Sequence, residues 1–179
     1  MHKKKRRYWI RVSVLTLFTM LLGFAIYQTV LSDQSEVLEE GDKAPDFTLQ
    51  TLEGEDVALS DYRGQGVLIN FWASWCEPCK AEMPAIERRY EKFKEHGFEV
   101  LAVNVGESKL SVKGFVRGFD LSFPILLDPD KHVTTDLYHI GPLPSSIFVK
   151  PDGTVSKIVI GQMNDSLIEQ NVLNILPEE

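Results

Sequence analysis

The sequence predicts an α/β domain, with helices on the faces of a sheet, preceded by one membrane-spanning helix. Beyond Gly41, short β-rich runs alternate with stretches of helical periodicity, and 179 residues are the usual length of a single domain. Near the N-terminus, the twenty residues 12–31 carry no formal charge. As a helix they would span roughly 30 Å, the thickness of a bilayer core.

Charge is distributed unevenly along the chain. The protein has 19 Lys and Arg against 26 Asp and Glu, and residues 1–31 contain six of the basic residues and none of the acidic ones. The remaining residues therefore keep 13 basic groups against all 26 acidic groups. Because nonspecific binding to nucleic acid needs clustered Lys and Arg on the folded surface, the acidic body argues against that class of function.

The basic N-terminus sets the expected topology. Residues 1–11 form a basic segment that should stay cytoplasmic, and residues 12–31 form a transmembrane signal anchor. Residues 32–40 are a polar spacer, and residues 41–179 form an extracytoplasmic domain. The alternative is a cleaved signal peptide, but the apolar stretch is long for one and no small-x-small cleavage site follows it.

The first half of the domain predicts a hairpin, a buried strand and a long helix. Residues 46–52 and 56–59 flank Glu53 and Gly54 and form the hairpin. Residues 67–72 are apolar apart from Asn70, as in a central strand that is covered on both faces. Helical spacing follows from Cys76 to His96, with Gly97 as the stop signal.

The second half alternates in the same way and ends in a hairpin and a helix. Residues 145–149 and 155–160 flank a Pro-Asp-Gly turn and should pair antiparallel. Asn164 caps a last helix that ends at Leu176. Between them and the first half lie a strand at 99–105, a helix at 109–119, a strand at 125–127 and a short helix at 133–138.

The chain has two cysteines, Cys76 and Cys79, at the start of the predicted helix. A disulfide between them closes too small a loop to remove much chain entropy, so a structural crosslink is a poor explanation. A helix N-terminus favours a thiolate, which is the attacking species in disulfide exchange. Cys76 is the expected nucleophile, and Cys79 would then attack the mixed disulfide. Pro78 suits the first helical turn.

A metal site is the main alternative use of the two cysteines. Zinc needs four ligands, and the four histidines of the chain are scattered singly, without a second ligand pair. We therefore expect no metal ligands in this chain. A copper-binding chaperone that uses Cys76, Cys79 and one histidine remains a rival interpretation.

The sequence Phe-Trp-Ala-Ser-Trp-Cys-Glu-Pro-Cys at residues 71–79, followed by Pro84, resembles the active-site stretch of thioredoxin-fold proteins. Leu143 and Pro144 precede a predicted strand, where thioredoxin-like proteins place a cis-proline beside the cysteines. The resemblance implies a thioredoxin-like fold, here with an N-terminal hairpin extension and a central helix-strand insert. It also implies that the stretches around both motifs contact the substrate.

Within that superfamily, residues 41–47 and the insert between Val105 and Leu127 resemble the membrane-anchored extracytoplasmic thiol-disulfide oxidoreductases of cytochrome c maturation in Gram-positive bacteria. This resemblance implies the oxidised Cys-x-x-Cys-His motif of apocytochrome c as the substrate. It implies a CcdA-type membrane thiol transporter as the electron donor, and no cofactor. A relative with another reductive task in the envelope, such as one in sporulation, is the rival within the same class.

Peroxiredoxins share part of this opening, and a peroxidase built on Cys76 is a further rival. The Pro and Thr that peroxiredoxins place before their reactive cysteine would fall at Ile69 and Ala73. Neither residue matches, so the sequence argues against a peroxidase.

One departure from thioredoxin concerns the proton acceptor, because the position of its buried Asp is Asn70 here, and Asn cannot carry a proton. Glu82 lies three residues after Cys79 and shares its helix face. Related proteins carry an acid at this position, so we expect Glu82 to accept the proton of the resolving thiol. Its charge would also raise the thiol pKa, which favours a reductant.

The remaining candidates surround the cysteines in sequence. Trp72 ends a buried strand and should pack in the core, whereas Trp75 lies in a loop next to Cys76 and should contact the substrate. Glu77 is expected to be exposed, where it could tune the potential or the choice of substrate. The predicted site therefore comprises three catalytic residues, Cys76, Cys79 and Glu82, and five substrate-binding residues, Trp75, Glu77, Pro78, Leu143 and Pro144.

Overall fold

The computed structural model describes residue 9, residues 11–24 and residues 38–177, in two compact units that divide after Val37. In the N-terminal unit, residues 11–24 are helical. Within the described residues, no helix combines the length and the apolar character that crossing a bilayer requires. Part of the predicted anchor, at 25–31, and most of the predicted basic segment and spacer lie outside the described residues.

The second unit is built on one mixed sheet of seven strands, which runs in the order β2-β1-β5-β4-β3-β6-β7. The β3/β4 and β4/β5 pairs are parallel, and the other four pairs are antiparallel. The predicted α/β fold is therefore confirmed. The strands are β1 (Thr48–Thr51), β2 (Asp56–Ala58), β3 (Gly66–Trp72), β4 (Phe98–Val105), β5 (Ile125–Asp128), β6 (Ser145–Val149) and β7 (Val155–Ile160).

Three α-helices accompany this sheet: α1 (Glu77–Phe93), α2 (Lys109–Phe119) and α3 (Asp165–Leu173). A short 3-10 segment, Lys94–His96, follows α1 and ends at Gly97, whose φ of 78° is a conformation that favours glycine. The predicted stop of the first helix is thus confirmed. A second 3-10 turn spans Leu59–Tyr62.

One predicted helix differs from the structure in type, and another differs at its C-terminal end. The short helix expected at 133–138 is a π-helical turn, His132–Leu137, and its N-terminal N–H groups donate to the buried carboxylate of Asp128. The last helix ends at Leu173 rather than at Leu176. The chain there tightens into a turn, because the N–H groups of residues 175 and 176 both donate to the same carbonyl of Val172.

Strand β3 lies at the centre of the domain, and all seven of its residues are buried. Its two faces contribute to two separate core clusters, represented by Leu68 and Trp72 on one face and by Ile69 and Phe71 on the other. A strand that is apolar on both sides, as β3 is apart from Asn70, is typical of a sheet covered on both faces. Since β3 leads directly into the cysteine loop, this buried strand anchors the candidate site in the core.

Candidate active site

Cys76 and Cys79 form a disulfide at the N-terminus of α1. Cys76 is the N-cap residue of that helix, and its Sγ accepts a hydrogen bond of 3.3 Å from the backbone N–H of Cys79. Cys76 is 5% exposed, whereas Cys79 is fully buried. A partner therefore reaches the sulfur of Cys76 more readily than that of Cys79.

The first turn of α1 is polar and open to solvent. Glu77 and Pro78 are both exposed, and the carboxylate of Glu77 accepts a hydrogen bond of 2.9 Å from Lys80. Pro78 lacks a backbone N–H and is well suited to the first helical turn, where that group has no intrahelical partner. An acid at this end of a helix is favoured by the helix dipole.

Glu82 is fully buried one turn beyond Cys79. Its Oε1 accepts a hydrogen bond of 2.9 Å from the side-chain amide of Asn70, and its Oε2 accepts one of 2.8 Å from the backbone N–H of Met163. Burial raises the pKa of Glu82 to about 7, although both hydrogen bonds favour the ionised form and lower the pKa. This carboxyl group can therefore gain or lose a proton near neutral pH.

Asn70 contributes hydrogen bonds to this site that the sequence analysis did not predict. It lies on β3 opposite Ser146, and its Nδ2 donates 2.9 Å hydrogen bonds to both Glu82 and the hydroxyl of Ser146. Its buried Oδ1 has no hydrogen-bond partner within the described part of the chain. At the position where thioredoxin has an acid, this chain has an amide, and that amide donates a hydrogen bond to Glu82 on α1.

The peptide bond between Leu143 and Pro144 is cis, as the family resemblance implies. The next residue, Ser145, pairs with Phe71 on β3, which places Pro144 beside the end of the strand that leads to the cysteines. Pro144 is buried, and the half-buried Leu143 packs against the core cluster that contains both cysteines. The tertiary structure therefore brings this distant segment to the end of β3, from which the cysteine loop begins.

The two candidate tryptophans differ in burial, and Trp72 packs in the core as predicted. Trp72 is fully buried, and the distance between its ring centroid and that of Phe115 on α2 is 4.6 Å. Trp75, the residue before Cys76, is 68% exposed. An apolar ring of this size left in solvent next to a disulfide is available to a partner.

Glu107 is a residue of the site that the sequence analysis missed. Its carboxylate accepts hydrogen bonds of 2.6 Å from the N–H of Ser74, 2.5 Å from the Ser74 hydroxyl and 2.7 Å from the side-chain amide of Asn104. Ser74 lies two residues before Cys76. The available signal was that Glu107 follows β4 closely, and the carboxyl ends of the parallel strands β3 and β4 meet at one edge of the sheet.

The arrangement can perform two-electron chemistry on sulfur. One sulfur lies at the helix N-terminus and near the surface, a second is buried behind it, and a buried carboxyl group whose pKa is raised to about 7 follows one turn later. Within the described ranges, no group of three or more His, Cys, Asp or Glu side chains is placed to hold a metal ion.

Comparison with known proteins agrees with this geometry. Residues 40–158 match the model of the AhpC/TSA family. The chain is 43% identical to the thiol-disulfide oxidoreductase ResA of Bacillus subtilis (strain 168) over 177 residues, which is 99% of this chain and 98% of the relative. It is 41% identical to the protein of the same name from Geobacillus kaustophilus (strain HTA426) over 98% of this chain and 99% of the relative.

A solved structure from Chlorobium tepidum, assigned as the thiol:disulfide interchange protein DsbE, superposes with a TM-score of 0.72 at 34% identity. The superposition covers 77% of this chain and 98% of that one. The structure of StoA from Bacillus subtilis matches with a TM-score of 0.62 at 30% identity, over 72% of this chain and 96% of that one.

Proposed function

We propose that this protein acts as an extracytoplasmic reductant. The chain belongs to the AhpC/TSA family and is a thiol-disulfide oxidoreductase of the ResA type. Its substrate is the oxidised Cys-x-x-Cys-His motif of apocytochrome c before haem attachment. The observation that carries the reducing direction is the buried carboxyl of Glu82, one helical turn from Cys79. The cytochrome substrate rests on the resemblance of residues 41–47 and of the insert to the reductases of cytochrome c maturation.

In the reduced enzyme, the thiolate of Cys76 attacks one sulfur of the substrate disulfide. A bond forms between Cys76 and that sulfur, and the other substrate sulfur leaves as a thiolate. The thiolate of Cys79 then attacks Cys76, which releases the second substrate sulfur and forms the enzyme disulfide seen in the structure. Two electrons pass to the substrate, and the enzyme becomes oxidised.

The proton of Cys79 has to leave before this second step. Cys79 is fully buried, so a nearby acceptor is required, and Glu82 lies on the same helix face three residues later. With a pKa of about 7, its carboxylate is an effective base at neutral pH. Glu82 therefore takes the proton of the resolving thiol.

The same carboxyl group favours reduction over oxidation. A strongly oxidising enzyme has a reduced form that is stabilised, and a stable thiolate at a helix N-terminus produces such a form. A negative charge on Glu82 disfavours a second negative charge on the cysteine pair. The reduced pair is thereby kept from becoming an overly stable thiolate, so it gives up its electrons more readily.

The substrate contacts the surface around Cys76. Trp75 provides an exposed apolar ring, Glu77 and Pro78 provide the open first turn of α1, and Leu143 with Pro144 provides the cis-proline segment that precedes β6. These five residues are the proposed substrate-binding surface.

Electrons have to be imported if the domain works outside the cytoplasm. We place residues 1–11 in the cytoplasm, residues 12–31 across the cell membrane as a single signal anchor, and residues 41–179 outside. A CcdA-type membrane thiol transporter then re-reduces Cys76 and Cys79. The basic and uncharged composition of the N-terminus supports this topology.

Deleting the gene tests the substrate and the direction together. Holocytochromes c should disappear in the deletion strain and return when a small-molecule thiol is added, because the thiol replaces the missing reductant. A strain that expresses Cys76→Ala with Cys79→Ala should match the deletion, while the wild-type gene should restore the cytochromes. Normal cytochrome levels in the deletion strain would rule out the maturation role.

Two alternative functions make different predictions. A related envelope reductase with another substrate, such as one in sporulation, would leave cytochromes intact and impair that other process in the deletion strain. A copper-binding chaperone would hold stoichiometric copper against a modest chelator. A reductase should not, so titration of the reduced protein with copper separates the two classes.

A further inference from the structure

We propose that Glu107 is a positioning residue for thiol-disulfide exchange: by binding Ser74, it fixes the loop that presents Trp75 to the substrate. The inference rests on the proposed function, since it assumes that Trp75 contacts a peptide disulfide. It adds a residue from outside the cysteine motif to the machinery of the site.

The contact between Glu107 and Ser74 uses both carboxylate oxygens. Oε2 accepts the backbone N–H of Ser74 at 2.6 Å, and Oε1 accepts its hydroxyl at 2.5 Å. Oε2 also accepts the side-chain amide of Asn104 at 2.7 Å. A carboxylate engaged by three donors is held in one orientation, and it holds the residue it binds.

The loop between β3 and α1 is restrained on both sides of Trp75. Before it, Ser74 is bound by Glu107, and after it, the N–H of Cys76 donates to the carbonyl of Ala73 at 3.1 Å. The Trp75 side chain itself is 68% exposed. Because the core holds so little of that ring, its position depends on the backbone that carries it.

The residues on either side of Glu107, Gly106 and Ser108, are both held by hydrogen bonds. Gly106 has a φ of 69° and donates its N–H to the carbonyl of Asp128 at 2.9 Å. Ser108 is the N-cap of α2, and its hydroxyl accepts the N–H of Ser111 at 3.3 Å. Glu107 therefore connects the cysteine loop to the end of β4 and to the start of α2, which are both fixed.

The expected consequence is selective for substrates that use Trp75. Misplacing a substrate-contacting group by about 1 Å can cost about a hundredfold in rate. In Glu107→Gln, the NH₂ group in place of Oε1 no longer accepts from the Ser74 hydroxyl, and the neutral amide oxygen in place of Oε2 binds the N–H of Ser74 more weakly than a carboxylate does. Exchange with a peptide disulfide should therefore slow about tenfold, whereas exchange with a very small disulfide that does not need Trp75 should keep its rate.

The experiment compares two probes on the full chain: a disulfide-bonded Cys-x-x-Cys-His peptide and hydroxyethyl disulfide. The ratio of the two rate constants is the readout, because both probes are attacked by the same Cys76 thiolate and a change in its pKa cancels. Glu107→Gln should lower the peptide-to-small ratio about tenfold. Ser74→Ala, which removes only the hydroxyl donor, should lower it less. Glu95→Gln, an exposed acid in the 3-10 segment after α1, is the matched control and should not change it.

A double-mutant cycle with Trp75→Ala then decides whether Glu107 acts through Trp75. The double variant should be no slower on the peptide than Trp75→Ala alone, because the ring that Glu107 positions is already gone. Additive losses, or an equal loss on both probes in Glu107→Gln, would overturn the proposal. A wild-type protein that reduces hydroxyethyl disulfide but not the peptide is a different outcome. It would overturn the proposed function, and the role of Glu107, which rests on that function, would be overturned as well.

Discussion

The side-chain amide of Asn70 donates a hydrogen bond of 2.9 Å to the carboxylate of Glu82, and both residues are fully buried. This bond joins the central strand β3 to the helix that begins at the cysteines. It opposes burial, which raises the pKa of Glu82 to about 7, because the N–H donor stabilises the ionised carboxylate. The proton affinity of the proposed acceptor is thus a balance that Asn70 helps to set.

The first prediction follows from that balance. Asn70→Ala removes a donor to the carboxylate, so the pKa of Glu82 should rise further above its usual value. Titration of the Glu82 carboxyl carbon by NMR in the oxidised protein measures this directly. Ser146→Ala is the control, since it removes the other acceptor of the Asn70 amide and leaves the bond to Glu82. An unchanged or lower Glu82 pKa in Asn70→Ala would contradict the prediction.

A second prediction concerns stability and pH. Because the pKa of Glu82 is raised from 4.5 to about 7 on folding, the folded state binds a proton that the unfolded state releases between these pH values. The stabilisation from this proton is complete below about pH 4.5 and is lost as the pH rises through about 7. A shift of this size corresponds to roughly 3 kcal/mol.

The measurement is urea unfolding of the oxidised wild type and of Glu82→Gln across this pH range. The difference in the free energy of unfolding, variant minus wild type, should grow by roughly 3 kcal/mol from low to neutral pH. Glu77→Gln, an exposed acid on the same helix, should show no comparable trend. Parallel curves for wild type and Glu82→Gln would mean that Glu82 titrates alike in both states.

The third prediction tests the order of the two cysteines. Cys76→Ala should abolish exchange, because it removes the more accessible sulfur. Cys79→Ala should instead accumulate a mixed disulfide with the substrate through Cys76, because no second thiol resolves it. Mass spectrometry after trapping identifies the adduct. An adduct through Cys79 in the Cys76→Ala protein would reverse the assignment.

A fourth prediction concerns Glu82 in the reduced enzyme. Glu82→Gln keeps the shape of the side chain and removes its charge, so the apparent thiol pKa values should fall, since a like charge nearby disfavours ionisation. The shift belongs to the coupled site and not to one cysteine. Exchange should nevertheless slow about a hundredfold, because the proposed base for the proton of Cys79 is gone.

The two effects of Glu82→Gln have to occur together. Thiol absorbance against pH gives the titration, and stopped-flow exchange with a peptide disulfide gives the rate. Glu95→Gln, an exposed acid in the 3-10 segment after α1 and outside the proposed substrate-binding surface, is the matched control for both measurements. If both the titration and the rate of Glu82→Gln equal those of the wild type, Glu82 takes no part in the reaction.

The fifth prediction is the topology. A reporter that is active only outside the cytoplasm, fused after Glu179, should be active and remain in the membrane fraction if, as we propose, residues 12–31 anchor the chain and the preceding basic residues stay inside. The same reporter fused after Arg11 should be inactive. A soluble, active fusion would mean that the N-terminal segment is cleaved.

Local pattern was sufficient for most of the elements. The helix at 109–119 and the strands at 145–149 and 155–160 have the predicted bounds, because their periodicity and turn residues are local signals. The segment at 133–138 was predicted as an ordinary helix and is a π-helical turn. Its first N–H groups donate to the side chain of Asp128, the last residue of β5, and such side-chain bonds leave no mark in hydrophobic periodicity.

The sequence by itself determined the α/β fold, the buried strand β3 and a cysteine pair at a helix N-terminus, since each depends on residues close together in the chain. Only the tertiary structure decided the state of Glu82 and the part played by Glu107. The donor from Met163 reaches Glu82 across 81 positions, and Glu107 reaches Ser74 across 33. Burial and hydrogen bonding, which set proton affinity and loop position, arise from contacts that form when the strands pair and α1 packs against the sheet.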